Sequence, residues 1–149
     1  MNHVVFVLVP GLHLLDLAGA AQVFSTVGDH GHPYRLTYVA EQADVPAYQG
    51  ITLRAATGWP ELDPDDLVVV PGWRSPHLAG TGHLARATLD RIAGHHAAGG
   101  LVASVCAGAD ALGRAGLLDG RRCTTHHDLQ DLLARTFPRA AVVLSLIHI

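Results

Sequence analysis

A single cysteine, Cys106, stands where the apolar run "LVASV" (101 to 105) gives way to the small-residue run "AGADALG" (107 to 113). A thiol at or just before a helix N-terminus feels a partial positive charge that favours thiolate and lowers its pKa below the free value of ~8.5. Ser104 and Gly108 are small enough to let the chain turn sharply there, the strained elbow that exposes a nucleophile. Asp16, in "HLLDLAG" (13 to 19), could serve as a protonated or hydrogen-bonded carboxyl partner to the sulfur. Backbone N–H groups of Gly72 and Ala107 could converge on an anionic oxygen. Packing alternatives stand beside these readings, because free cysteine is among the most buried residue types and Asp16 reads equally well as a helix N-cap.

The surrounding elements decide whether these groups can meet. "HVVFVLV" (3 to 9) reads as a strand, and Leu14, Leu17, Ala18, Ala21 and Phe24 recur at helical spacing within 14 to 31. "YRLTYVA" (34 to 40) alternates like a strand, and 45 to 56 reads as a hairpin turned at Gln49-Gly50. "DLVVVPGW" (66 to 73) ends a buried strand in a Pro-Gly turn, and 83 to 100 is an amphipathic helix stopped by Gly99-Gly100. "LVASVC" is the next strand, 107 to 115 the next helix with Gly116 at its C-cap, and 127 to 137 another helix ended by Pro138. "AAVVLSLIHI" (140 to 149) closes the chain as an apolar run. Strands apolar on both faces, alternating with helices, predict an α/β fold with a parallel sheet covered on both sides. In such a sheet ligands bind beyond the carboxyl ends of the strands, where residues 10 to 16, 71 to 73 and 106 to 108 arrive together.

A length of 149 residues suits one domain, which buries roughly 70% of the unfolded chain's surface. Hydrophobic residues make up 49% and charged residues 15%, with no apolar run near the ~20 residues of a membrane span and no signal-peptide pattern at the start. The expected location is cytoplasmic. A net charge of -3 without clustered basic residues leaves no electrostatic footprint for nucleic acid or anionic membrane. Two cysteines make neither a disulfide framework nor zinc spacing, and Cys123 reads as structural. Among eleven histidines, the pairs His30/His32, His95/His96 and His126/His127 show no consistent carboxylate or cysteine partner, so neither a metal site nor a cofactor is expected.

Taken together, "LLDLAGAAQVF", "VVVPG", "SVCAGADALGRAGLLDGRRCTTHH" and the helix running to "RTFP" resemble the ThiJ/PfpI superfamily, the class I glutamine amidotransferase-like fold. The resemblance runs through about Val143 and is most specific from Ser104 to His126. "AGLLDGRR" running into "TTH" is most similar to the sensor domain of AraC-type transcriptional regulators, and also to isonitrile hydratases. It implies a flavodoxin-like three-layer sandwich with a mostly parallel sheet, a homodimer, and a pocket holding Cys106 and Asp16. Amidotransferases and PfpI-type peptidases place histidine directly after the cysteine; here Ala107 stands there, so the local Cys-His proton relay is missing. The hydratases carry threonine at that position. Many relatives have two glycines after the strand, whereas Gly72 is followed by Trp73, an aromatic wall that narrows the pocket. His126 could reach the site from its own loop as a general base.

The hexapeptide "LSLIHI" (144 to 149) is what CTGTCTCTTATACACATC, a transposase adapter of sequencing libraries, encodes in one frame. The expectation is therefore an incomplete domain over 1 to 143 followed by a non-native tail; the alternative is an ordinary final strand. Three functions follow. The leading one is a ligand-sensing domain of an AraC-type regulator, binding a small molecule near Asp16, Gly72, Trp73, Ala107, Cys106 and His126 and reaching DNA only through a missing C-terminal domain. The second is a cysteine-dependent hydratase or lyase in which Cys106 attacks an electrophilic carbon. The third is a redox protein whose Cys106 forms a sulfenic or sulfinic acid.

Overall fold

A computed structural model of the chain describes residues 3–74 and 84–144. The strand β1 (His3–Val7) leads through a Pro-Gly turn to the helix α1 (Leu14–Val27), and β2 (Arg35–Val39) follows. A hairpin comes next, β3 (Asp44–Pro46) antiparallel to β4 (Thr52–Arg54), turned where Gly50 takes a φ of 87°. Then come β5 (Leu67–Val70), α2 (Arg86–Ala97) and β6 (Leu101–Ser104). A 3-10 turn over Cys106–Gly108 enters α3 (Ala109–Arg114); β7 (Arg122–Cys123), α4 (Gln130–Thr136) and β8 (Ala141–Val142) complete the order.

The main sheet has the order β2-β1-β5-β6 and every pairing in it is parallel. Period-two alternation sends the strand side chains to two separate cores. Val5, Val7, Val68 and Val70 pack with α2, α3 and α4 through Ile92, Leu112 and Leu133 on one face. Val4, Phe6, Leu8 and Val69 pack with α1 and the hairpin through Leu17, Val45 and Ala47 on the other. Burial of both faces is why β1 reads as an unbroken apolar run, each large side chain contributing about 1.5–3 kcal/mol. This is the α/β three-layer sandwich expected.

At the amino ends of the strands, buried polar groups are satisfied by one another. Asp66 Oδ1 accepts from the His3 backbone N–H at 2.9 Å, its Oδ2 accepts from Asp63 N–H at 2.8 Å, and its carbonyl lies 3.0 Å from His95 Nε2. The opposite, carboxyl ends are left open for a site.

Several boundaries differ from the sequence reading. The helix expected from 83 begins at Arg86, and residues 75–83 lie outside the described residues. Only Ala141 and Val142 of the closing apolar run pair as a strand, and they pair with β7 rather than with the main sheet; 145–149 also lie outside the described residues. The two-residue β7, which puts Cys123 in the core, carries too little periodicity to be read from sequence. Gly116 follows α3 with a φ of 76°, where a helix-ending glycine belongs.

Candidate functional site

The chain leaves β6 with Val105 still on the sheet, its N–H donating to the Val70 carbonyl at 3.0 Å. Cys106 then reverses direction with a φ of 54°, the sole non-glycine with positive φ among the described residues. A non-glycine in this left-handed region costs on the order of 1 kcal/mol and is held there by its surroundings. Those surroundings are specific. A Cβ on Gly108 would run into the Val70 carbonyl oxygen and lie 3.1 Å from the Pro71 oxygen, so only glycine lets the turn nestle against the end of β5. On the far side, Thr125 Oγ1 donates to the Cys106 carbonyl at 2.8 Å and ties the His126 loop to the elbow.

Gly72 is the hinge of the cluster. A Cβ there would collide with Asp16 Oδ2, lie 2.8 Å from Cys106 Cβ and 3.1 Å from Ala107 N. Asp16, Gly72, Cys106 and Ala107 therefore meet at one point, brought from three strand ends. The Gly72 carbonyl accepts from His13 N–H at 2.9 Å, which fixes the start of α1 against the β5 turn. His13 is the N-cap residue of α1, so Asp16, third in the helix, is not the cap that a local reading allows. Its Oδ2 is buried and has no well-formed hydrogen bond among the described residues.

The thiol's electrostatics reverse the expectation of an activated sulfur. Burial pushes the Cys106 thiol above the ordinary range, the Ala107 backbone N–H pulls it back, and the Asp16 carboxylate pushes it up again by charge and as a hydrogen-bond partner. The helix dipole that was expected to lower it is weak here, because a 3-10 turn intervenes and α3 has six residues. The net direction favours the thiol over the thiolate, beside the buried Asp16 carboxyl. Burial likewise raises Cys123, which lies in the core as expected.

A cavity of about 400 Å³ opens onto this cluster, lined by Cys106, Ala107, Trp73, His126, His13 and Arg74, with His127, Asp128 and Leu129 on the loop side. Of the residues singled out from sequence, Cys106, Ala107, Trp73 and His126 line it together. Asp16 and Gly72 do not; they pack beside the Cys106 side chain. His13, Arg74 and Asp128 escaped the sequence reading, and His127 entered it only as half of a histidine pair, although His13 falls within the 10–16 loop already assigned to this end of the sheet. Arg74 is held by its N–H to the Gly11 carbonyl at 2.9 Å and lies over the Tyr48 ring at 5.0 Å. The His126/His127 pair does have a carboxylate: Asp128 Oδ1 is 3.2 Å from His127 Nε2 and Oδ2 is 3.8 Å from His126 Nδ1. Chemically, the arrangement can enclose a small ligand between an aromatic wall, cationic or hydrogen-bonding rim groups and the Cys106 thiol.

The sequence profile of the DJ-1/PfpI family matches residues 2–143. The chain belongs to the DJ-1/PfpI family. An uncharacterized protein encoded in the cpoL 5′ region of Streptomyces lividans is 38% identical over 138 residues, covering 92% of this chain and 96% of that protein. The isonitrile hydratase of Pseudomonas putida is 35% identical over 130 residues, 86% of this chain, and the chain spans 54% of its length. Among solved structures, an AraC family transcriptional regulator from Pseudomonas putida superposes with a TM-score of 0.76 at 25% identity, over 100% of this chain and 80% of that one. This DJ-1/PfpI domain is thus similar both to a regulator and to a hydratase. None of the helices among the described residues is long and apolar enough to cross a membrane.

Proposed function

We propose that this chain is the ligand-sensing domain of an AraC-type transcriptional regulator. The domain spans residues 1–143, 144–149 are a non-native tail, and the DNA-binding part lies outside the chain. It works as a cytoplasmic homodimer whose ligand biases two arrangements of the attached domains. The observation that carries this reading is the meeting of Asp16 and Cys106 across Gly72, beside a cavity walled by Trp73 and His126: burial and the Asp16 carboxylate push the thiol's pKa up, and Ala107 rather than a titratable residue follows it, which suits recognition better than attack. A cavity of about 400 Å³ suits a small metabolite stacked on Trp73 and reached by His126. The likeness to the regulator over the whole chain supports it. So do the edge position of β6, where Leu101 is 61% exposed, and the apolar groove of about 290 Å³ along Val102, Leu112 and Leu117, surfaces that a continuing chain would cover.

The 35% identity to isonitrile hydratase favours a second reading. In it, the Cys106 S–H adds across the terminal carbon of an isonitrile, the sulfur bonding to carbon and the proton passing by way of Asp16. Water then displaces the thiol, leaving the N-substituted formamide and regenerating Cys106. Sequencing the locus past codon 143 separates the two. The sensor reading expects roughly a hundred further residues carrying two helix-turn-helix units. A stop after one more strand and helix, with Cys106-dependent formamide formation from a simple alkyl isonitrile, would overturn it in favour of the hydratase.

A further inference from the structure

We propose that His126, His127 and Asp128 bind one divalent transition-metal ion, of the zinc or cobalt type, at the rim of the Cys106 cavity. The three residues enter a 3-10 turn, His127–Leu129, whose start is anchored to the elbow by the Thr125 hydroxyl. Within it the two imidazole rings lie 4.2 Å apart at 31°, and the Asp128 backbone N–H reaches back to His126 Nδ1 at 3.3 Å. One ligand atom from each of the three lies within 4.8 Å of the others. The closest pair, His127 Nε2 and Asp128 Oδ1, is already at 3.2 Å.

A tetrahedral ion with bonds of about 2.0–2.1 Å holds its ligand atoms roughly 3.3–3.4 Å apart. One edge of that triangle is therefore formed, and the other two, each no longer than 4.8 Å, close by at most about 1.5 Å. Both open edges run to His126, 39% exposed, and close when the pair already formed swings towards it; that pair is exposed, His127 by 79% and Asp128 by 73%, so closure disturbs no core packing. Two imidazoles and one carboxylate form a borderline donor set, suited to zinc, cobalt or nickel rather than to calcium or magnesium, which want oxygen. Three protein ligands leave the remaining positions open towards the cavity, where a water or a ligand atom can enter. The carboxylate offsets part of the added charge, and Arg74, the other permanent charge lining the cavity, is drawn over Tyr48. Cys106 shares the cavity but does not belong to the cluster of ligand atoms within 4.8 Å of one another, so it is not one of the ligands. The proposal stands on this geometry and holds for a sensor and a hydratase alike.

The test uses the full chain, free of any purification tag and stripped with a chelator, then titrated with cobalt(II) while visible absorption is followed. The expected result is one saturable equivalent per chain with tetrahedral d–d bands. His127→Ala and Asp128→Ala should each weaken binding by at least about tenfold, with melting temperatures unchanged, while Cys106→Ser binds like the native protein. Absence of a saturable site overturns the proposal. So does native affinity in His127→Ala or Asp128→Ala, which would put the ion among other histidines, and so does loss of binding in Cys106→Ser, which would make the thiol a ligand.

Discussion

The carboxyl of Asp16 and the thiol of Cys106 meet across Gly72, whose missing side chain leaves the space that both occupy. Residues from the ends of β1, β5 and β6 thus share one small volume. Replacing Gly72 by alanine should force the three apart. The expected cost is about 1–3 kcal/mol of stability, read from urea denaturation, with faster alkylation of the displaced thiol. A Gly72→Ala protein of native stability would show that the residues do not converge.

Strain at the elbow is separable from the sulfur. Cys106→Ala keeps a Cβ at a φ of 54°, whereas Cys106→Gly removes it. The glycine variant should be more stable than the alanine variant by about 1 kcal/mol in equilibrium unfolding. Equal stabilities, or a more stable alanine, would place Cys106 outside the left-handed region.

Much of this arrangement is legible in the chain and some is not. The run 3 to 9, the hairpin around Gln49-Gly50 and the break after "LVASV" announce themselves because burial and turn chemistry act locally. The convergence of 10–16, 71–73 and 106–108 also follows from parallel topology alone. The upward shift of the Cys106 pKa does not, because it depends on how deeply the elbow is buried and on a carboxylate ninety residues away in sequence, approached through Gly72. Asp128 next to both histidines is visible in "HHD", yet only the 3-10 turn brings its two oxygens against their rings. Arg74 lies one residue past the motif, and its contact with Tyr48 belongs to the hairpin's packing.

Helix α2 starts at Arg86 with Ala85 as its N-cap, which has no side chain to cap it. Glu41 supplies the cap from the loop after β2: its Oε1 accepts from Ala85 N–H at 2.7 Å and from Thr88 Oγ1 at 2.5 Å. Glu41→Ala should cost about 1 kcal/mol in urea unfolding. Glu41→Gln, which keeps an acceptor oxygen, should recover part of the loss. No change in either variant would mean that the helix start is satisfied by solvent.

His3 sits buried at the amino end of β1, with Nε2 2.7 Å from Thr37 Oγ1 and Nδ1 2.9 Å from an Arg35 nitrogen. Burial first, and then the neighbouring Arg35 charge, hold its pKa below the ordinary histidine value, while Asp66 opposes them. A depressed histidine pKa means that the folded state resists a proton the unfolded chain accepts. Stability from this group is complete above the unfolded value of about 6.5 and declines as pH falls towards the folded value. His3→Gln should flatten that part of the stability curve as pH falls below about 6.5, measured by urea midpoints. An unchanged slope would assign the acid loss to other groups.

The most direct measurement is the pH dependence of Cys106 alkylation by iodoacetamide, resolved from Cys123 by peptide mass spectrometry, in the native protein and in Asp16→Asn. The expected apparent pKa lies above that of a free cysteine, and removing the Asp16 charge moves it down and speeds reaction at neutral pH. An apparent pKa below the free value, or one that Asp16→Asn leaves in place, would make Cys106 an activated nucleophile independent of Asp16 and contradict a recognition site built around a protonated thiol.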